Sequence, residues 1–354
     1  MYYDPLEVQP VSCLFSIVED GMPPANGITV ISSVLTNNNT LQELILSRNN
    51  FTIEGARNIA DAVQKNTTLQ RLDISYCNIH SKGALNISES TKSNKTLREL
   101  IMSWKKDQVT VNTADQFWDL HNKKIENIGM LTVSQLLHDS MKVLKLNTSF
   151  NEITDDGVVA ICNFLSRNNA LQELDISHNQ ITIKRASNIA QVLQVNTTLL
   201  RLDISYCNIP NEGMIVISDR LKSNNVLQEF YCRYNNITVE GANTIAKLIQ
   251  LSTRSKAIDI SCCGITVKGA VIISKSCKHS KILQKAILSW IDIENITAKQ
   301  KEGYTVNTSV QDCELTGQNI GNSGALIISN LLFNIITTKN LDISLNNISD
   351  ISAI

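Results

Sequence analysis

Apolar residues in this chain follow two alternating rhythms. In LQELILSRNNF, which begins at residue 41, Leu41, Leu44 and Leu46 occupy the first, fourth and sixth positions. That is the alternation of a short, half-buried strand. In the stretch that follows, Ala56, Ile59, Ala60 and Val63 recur at helical spacing, and Asn66-Thr67-Thr68 ends the unit with turn-favouring residues. Each unit therefore predicts a strand, a turn, a helix and a return.

The unit repeats with a period of 28 residues. Clear copies begin at 41, 69 and 97, and again at 143, 171, 199, 227, 255 and 283, with weaker ones at 13, 115, 310 and 338. The stretch RLDISYCNI stands unchanged at 71–79 and at 201–209. Glycine recurs at position 15 of the unit, as in Gly55, Gly83, Gly213 and Gly269. Two spacings depart from the period, 18 residues from 97 to 115 and 27 from 283 to 310. Both follow a Ser-Trp unit, Ser103-Trp104 and Ser289-Trp290, and both lead into T-V-N-T, at 110–113 and 305–308. The helical pattern fails there, which predicts irregular joints near 104–114 and 291–309. A strand or helix of this length cannot bury its apolar face alone, so the units must stack. The expected organisation is one solenoid over 13–354 after an extension at 1–12. Its first unit lacks the usual leucines, with Cys13 and Ser16 in their places, and its last stops at Ile354, where a helix is due. The C-terminal end therefore reads as incomplete.

The pattern L-x-x-L-x-L-x-x-N/C-x-I over a strand and helix resembles a leucine-rich repeat. The ribonuclease-inhibitor-like subclass is the nearer resemblance, since Asn179, Cys207, Asn235 and Cys263 alternate at position 9. The resemblance implies an α/β solenoid, or horseshoe, with parallel strands on the concave face and α-helices on the convex face. It is similar to the repeat region of NOD-like receptors. That likeness implies a non-enzymatic, cytoplasmic scaffold of innate immunity that senses a ligand or binds a protein. Two alternatives stay open: a GTPase-activating protein resembling the Ran GTPase activator, and a secreted repeat receptor.

Composition adds mostly exclusions. With 32 basic and 33 acidic residues, no net field points to nucleic acid. Apolar runs are too short for a membrane span, and the N-terminal residues lack the basic-then-apolar order of a signal peptide. Eight of the nine cysteines fall on inward positions and Cys262, at position 8, on an outward one, so packing rather than a disulfide framework or a zinc site is expected. The five histidines have no metal-ligand spacing, the serines at position 7 have no paired base, and no phosphate loop occurs. No catalytic residue, metal or cofactor is expected. Eleven Asn-x-Ser/Thr sequons, among them Asn66, Asn94 and Asn196, arise largely from the repeat's own turns.

The positive signal lies in the outward strand positions. Position 8 carries Tyr76, Trp104, Phe150, Tyr206, Tyr234 and Trp290, six aromatics in the twelve units from residue 41 onward. Position 5 carries Asp73, Asp175, Asp203 and Asp259. Stacked strands lie about 4.8 Å apart, so these rows predict an aromatic stripe beside an acidic one. Exposed Tyr and Trp are favoured in binding hot spots. These ten residues are the expected contact surface for a protein partner with basic side chains.

Overall fold

The computed structural model describes residues 27–104, 109–138, 140–291, 303–334 and 337–349. The extension at 1–12, Cys13 and the end of the chain from residue 350 lie outside the described residues. The fold is an α/β solenoid of strand–helix units.

Strands Glu43–Ile45, Arg71–Ile79 and Glu99–Trp104 pair in parallel, each one unit from the next. A longer parallel run comprises Phe117–Asp119, Lys145–Asn147, Glu173–Asp175, Arg201–Asp203, Glu229–Tyr231, Ala257–Ile260 and Lys285–Trp290. Register is set by the repeat: Glu173 faces Arg201, and Arg201 faces Glu229. A last pair joins Asp312–Glu314 to Asn340–Asp342. Helices such as Ile53–Lys65, Ser81–Ser93, Ile183–Val195 and Val239–Leu251 line the other side. The core between the layers consists of strand residues such as Leu72, Ile74 and Ile204 and helix residues such as Ile59, Ile189 and Ile245.

Position 15 shows why glycine recurs. A Cβ built on Gly83 would lie 2.8 Å from the Cβ of Ala56 on the preceding helix. The missing side chain therefore lets neighbouring helices approach closely.

The two joints are antiparallel hairpins. Strand Glu99–Trp104 folds back onto Val109–Asn112, and Lys285–Trp290 onto Tyr304–Asn307. Each hairpin ends its parallel sheet. The T-V-N-T stretches supply the same bonds twice. Ser103 Oγ pairs with Thr110 Oγ1 at 2.7 Å, and Ser289 Oγ with Thr305 Oγ1 at 2.5 Å. The Leu100 and Ala286 amides donate to Thr113 Oγ1 and Thr308 Oγ1, each at 2.8 Å. No helix is described in either joint unit, and helix Ser81–Ser93 packs directly on Glu126–Leu137.

Candidate functional site

The concave surface is shaped by one backbone device. Position 8 adopts left-handed φ at Arg48, Tyr76, Asn122, Phe150, His178, Tyr206, Tyr234 and Cys262, with values of 53–62°. The preceding position 7 already faces outward, so an extended position 8 would point into the core by strand alternation. The left-handed turn keeps it outside. The strain of a non-glycine residue in this region is offset by the bonds that follow. Asn179 Nδ2 donates to the Thr148 carbonyl of the previous unit at 3.0 Å, and its Oδ1 accepts from the Ile153 amide at 2.9 Å. Asn235 repeats this with the Ile204 carbonyl and the Ile209 amide, both at 2.9 Å.

At Trp104 and Trp290 the expectation of a solvent-facing ring is wrong. Their strands stay extended through position 8 to complete the hairpins, so alternation turns both indoles inward. Trp104 is 0% exposed and Trp290 1%. Trp290 lies against Tyr304, ring centroids 5.5 Å apart, and packs on Gly324 of the following helix. Both are core residues and leave the candidate surface. Tyr76 remains outside, with Arg48 5.5 Å from its ring centroid.

Phe150, Tyr206 and Tyr234, the three aromatic positions on the second sheet that stay outside, form a ladder with two histidines. Phe150 and His178 stack with centroids 3.6 Å apart, His178 and Tyr206 at 4.0 Å, and Tyr206 and Tyr234 at 4.0 Å, all within 16° of parallel. His121 meets Phe150 edge-on at 5.0 Å. Arg233 sits beside the last two rungs, 5.6 Å from the Tyr206 centroid and 5.2 Å from that of Tyr234. Burial within the stack lowers the His178 pKa below 6.5; Arg233 and His121 act in the same sense and Asp175 opposes them. Hydrogen bonds to Cys262 and Tyr206 push Tyr234 up to about 12.

Beside the ladder runs a charge relay at position 3. Arg71 bridges Glu43 and Glu99, while Lys145, Glu173, Arg201 and Glu229 alternate along the second sheet. Tyr231 replaces the usual Asp at position 5; its hydroxyl donates to Glu229 at 2.9 Å and Arg201 lies 4.9 Å from its ring centroid.

The acidic row has a structural duty as well. Asp73 Oδ1 accepts from the Ser75 amide at 3.0 Å, Asp175 from Ser177 at 2.9 Å, and Asp203 from Ser205 at 3.0 Å. Each carboxylate thus caps the end of its own strand. Asp73, Asp175 and Asp203 are half-buried at the surface. Asp259 is only 5% exposed, because its register partners are the bulky Tyr231 and Ile287. It is a buried cap rather than a partner contact. Burial raises the pKa of Asp203, which neighbouring Asp175 reinforces and the Ser205 bonds oppose.

The sequence pattern missed His121, Arg233 and Tyr231 as members of this surface. The signal was there: His121 and Arg233 break a row of hydroxyl residues at position 7, and Tyr231 interrupts Asp203 and Asp259 at position 5, and such a break marks a position freed from the repeat's own requirements.

Cys77, Cys162, Cys207, Cys232, Cys263, Cys277 and Cys313 are buried, and Cys262 is half-exposed. Burial pushes Cys207 and Cys263 up to about 12, so they stay as unreactive thiols. Among the described residues no cluster of three or more His, Cys, Asp or Glu side chains is placed to hold a metal. Nor is any helix among them long and apolar enough to cross a membrane. Two sequon asparagines are structural: Asn66 Nδ2 donates to the Leu35 carbonyl at 2.7 Å, and Asn196 Nδ2 to the Leu165 carbonyl at 3.0 Å, both buried.

A family model described as Leucine Rich repeat matches residues 37–60, 65–88, 139–162, 167–182 and 195–218. The fold is a leucine-rich-repeat solenoid. Among solved structures the chain is similar to one titled "Leiomodin-1 Actin-Binding Site 2 (ABS2)", at 21% identity and a TM-score of 0.34, over 38% of this chain and 78% of that one. It is also similar to a tropomodulin C-terminal domain from Caenorhabditis elegans, at 8% identity and a TM-score of 0.24, over 62% of this chain and 90% of that one. No curated protein sequence matches the solenoid. At these TM-scores the partners of those two proteins do not transfer to it.

Proposed function

We propose that this solenoid is a non-enzymatic protein-binding scaffold whose partner lies along the concave face of the second sheet. The observation that carries this reading is the ring ladder from Phe150 to Tyr234. Phe150 and Tyr234 are 43% and 44% exposed, whereas the core between the layers is built from the inward leucines and isoleucines. Rigid, exposed aromatics lose little entropy on binding and favour anchoring contacts. Asp175 and Asp203 on the same sheet, with Asp73 beside Tyr76 on the first sheet, favour a partner with basic side chains. The finer form of the proposal is an intracellular sensor of the NOD-like-receptor type, supported by the Asn/Cys alternation at position 9.

The test is selection of peptides from a random display library against the chain. Recovered peptides are expected to be enriched in Lys and Arg. They should bind a Phe150→Ala/Tyr206→Ala variant at least about tenfold more weakly, the loss of a small hot spot. A Val195→Ala/Leu251→Ala variant on the helical side should bind them unchanged. Equal binding to both variants rejects the concave-face assignment.

A further inference from the structure

The ladder ends one rung early. Rungs at Phe150, His178, Tyr206 and Tyr234 come from consecutive strands, and each occupies position 8 in left-handed conformation. The next strand, Ala257–Ile260, continues the parallel pairing, and Cys262 has the same φ of 54° as His178 and Tyr206. Its side chain therefore leaves the backbone as a rung does, but it carries a thiol in place of a ring. One strand further, Trp290 turns into the core. Two successive rungs are thus without a ring at the surface.

A cavity of about 330 Å³ occupies that place, lined by Tyr234, Cys262, Gly264, Ile265, Ser289, Trp290 and Ile291. Its volume is at the lower end of the range for small-molecule and side-chain pockets, about 300 Å³ upward. Arg233 does not close it. Its guanidinium is almost equidistant from the Tyr206 and Tyr234 centroids, so it flanks the pair instead of capping it. Gly264, at position 10, adds no bulk, and nothing lies within 4 Å of where its Cβ would be. Among the described residues no other ring stacks on the outer face of Tyr234.

We infer that this cavity is a binding slot for one aromatic ring supplied by the partner, which stacks on Tyr234 over Cys262 and completes the ladder. The ligand class is a planar aromatic side chain. This deepens the concave-face reading by naming the group that the surface selects, and it assigns Cys262 a purpose: a small residue is needed where the guest ring sits.

Cys262 also allows the slot to be probed without a known partner. In a Cys13→Ser background, the chain is equilibrated with two mixed disulfides of cysteamine, one carrying a 2-phenylethyl group and the other 2-cyclohexylethyl. The Cys262 thiolate attacks the probe disulfide, a new S–S bond forms to the ring-bearing sulfur, and cysteamine leaves as its thiolate. Intact mass reads the occupancy of each adduct. The two rings match in size and differ in flatness and π-character, so stacking should favour the phenyl adduct about three- to tenfold. In Tyr234→Leu, a substitution at an exposed ring, the preference should fall to about one. Equal occupancy in the parent protein, a preference that survives Tyr234→Leu, or a Cys262 that takes up neither probe overturns the slot. Since the display experiment reads the whole face and this one reads a single cavity, the two proposals fail separately.

Discussion

His178 and Tyr206 stack ring on ring, their centroids 4.0 Å apart and their planes within 16° of parallel. A histidine in that place makes the ladder sensitive to pH. Its pKa is lowered in the folded chain, chiefly by desolvation, so the unfolded chain binds the proton more readily. The stability that the neutral ring confers is complete above the unfolded value of 6.5 and declines as pH falls through it. Urea midpoints measured at pH 7.5 and 5.5 are expected to drop on acidification. In His178→Phe, where Asp175, Arg233 and His121 are unchanged, the drop should be smaller. An equal drop in the two proteins would remove His178 as its source.

Asparagine and cysteine at position 9 are not equivalent. Cys207 Sγ donates a single bond to the Ile176 carbonyl at 3.2 Å. Asn179 serves carbonyls at Thr148 and Ile176 and amides at Asn151 and Ile153. Replacing Asn179 by Ala strands several buried polar groups and should cost about 3–5 kcal/mol. Cys207→Ala loses a weak donor and a small volume, for about 1–2 kcal/mol. Chemical denaturation of both variants checks the ordering. Comparable losses would mean that the amide ladder does not hold the strand ends.

These contrasts mark how far the sequence could be read. Leucines at positions 1, 4 and 6 oblige a buried strand face wherever they occur, so the fold was legible from spacing alone. The Asn/Cys row was legible as inward for the same reason. Trp104 and Trp290 were not, because their direction depends on φ at one residue and on pairing with a second strand, at Val109 and at Tyr304 respectively. A period cannot report either. Asp259 was misplaced for a related reason: its burial comes from Tyr231 and Ile287 on neighbouring strands, not from its own unit. The ring ladder itself lay half in view. Its rungs follow from the period, but the inclusion of His178, the flanking Arg233 and the gap over Cys262 depend on side-chain geometry.

Asp203 offers a test of the acidic row. Its carboxyl is raised above 3.8, first by burial, so the unfolded chain ionises at lower pH than the folded one. The free energy of that ionisation works against folding, and the penalty grows as pH rises from 3.8 through the folded value. At neutral pH, Asp203→Asn should therefore stabilise the fold slightly, because the amide Oδ1 can still accept from the Ser205 amide. Asn147 already does this for Ser149 at 3.0 Å. The gain should vanish below about pH 4, where both forms are neutral. If the same substitution also weakens binding of Lys- and Arg-rich display peptides, the row serves both purposes. Thermal melts at pH 7 and pH 3.5 read the first part.

Gly83→Ala separates helix propensity from packing. In an isolated helix the change would stabilise by about 1 kcal/mol, and Gly83 lies within the first turn of Ser81–Ser93. Here the new methyl group would meet Ala56 Cβ at 2.8 Å and Ile79 Cγ2 at 3.1 Å. The isoleucine methyl can rotate away, but the alanine Cβ is fixed to the helix Ile53–Lys65 and moves only if the two helices separate. Overpacking of this kind costs about 1–3 kcal/mol, so the sum should be destabilising. Ala56→Gly in the same chain removes the clashing atom and is expected to recover part of the loss in a double-variant cycle. A stabilised Gly83→Ala, or strictly additive effects of the two changes, would show that the helix layer is not held by this contact.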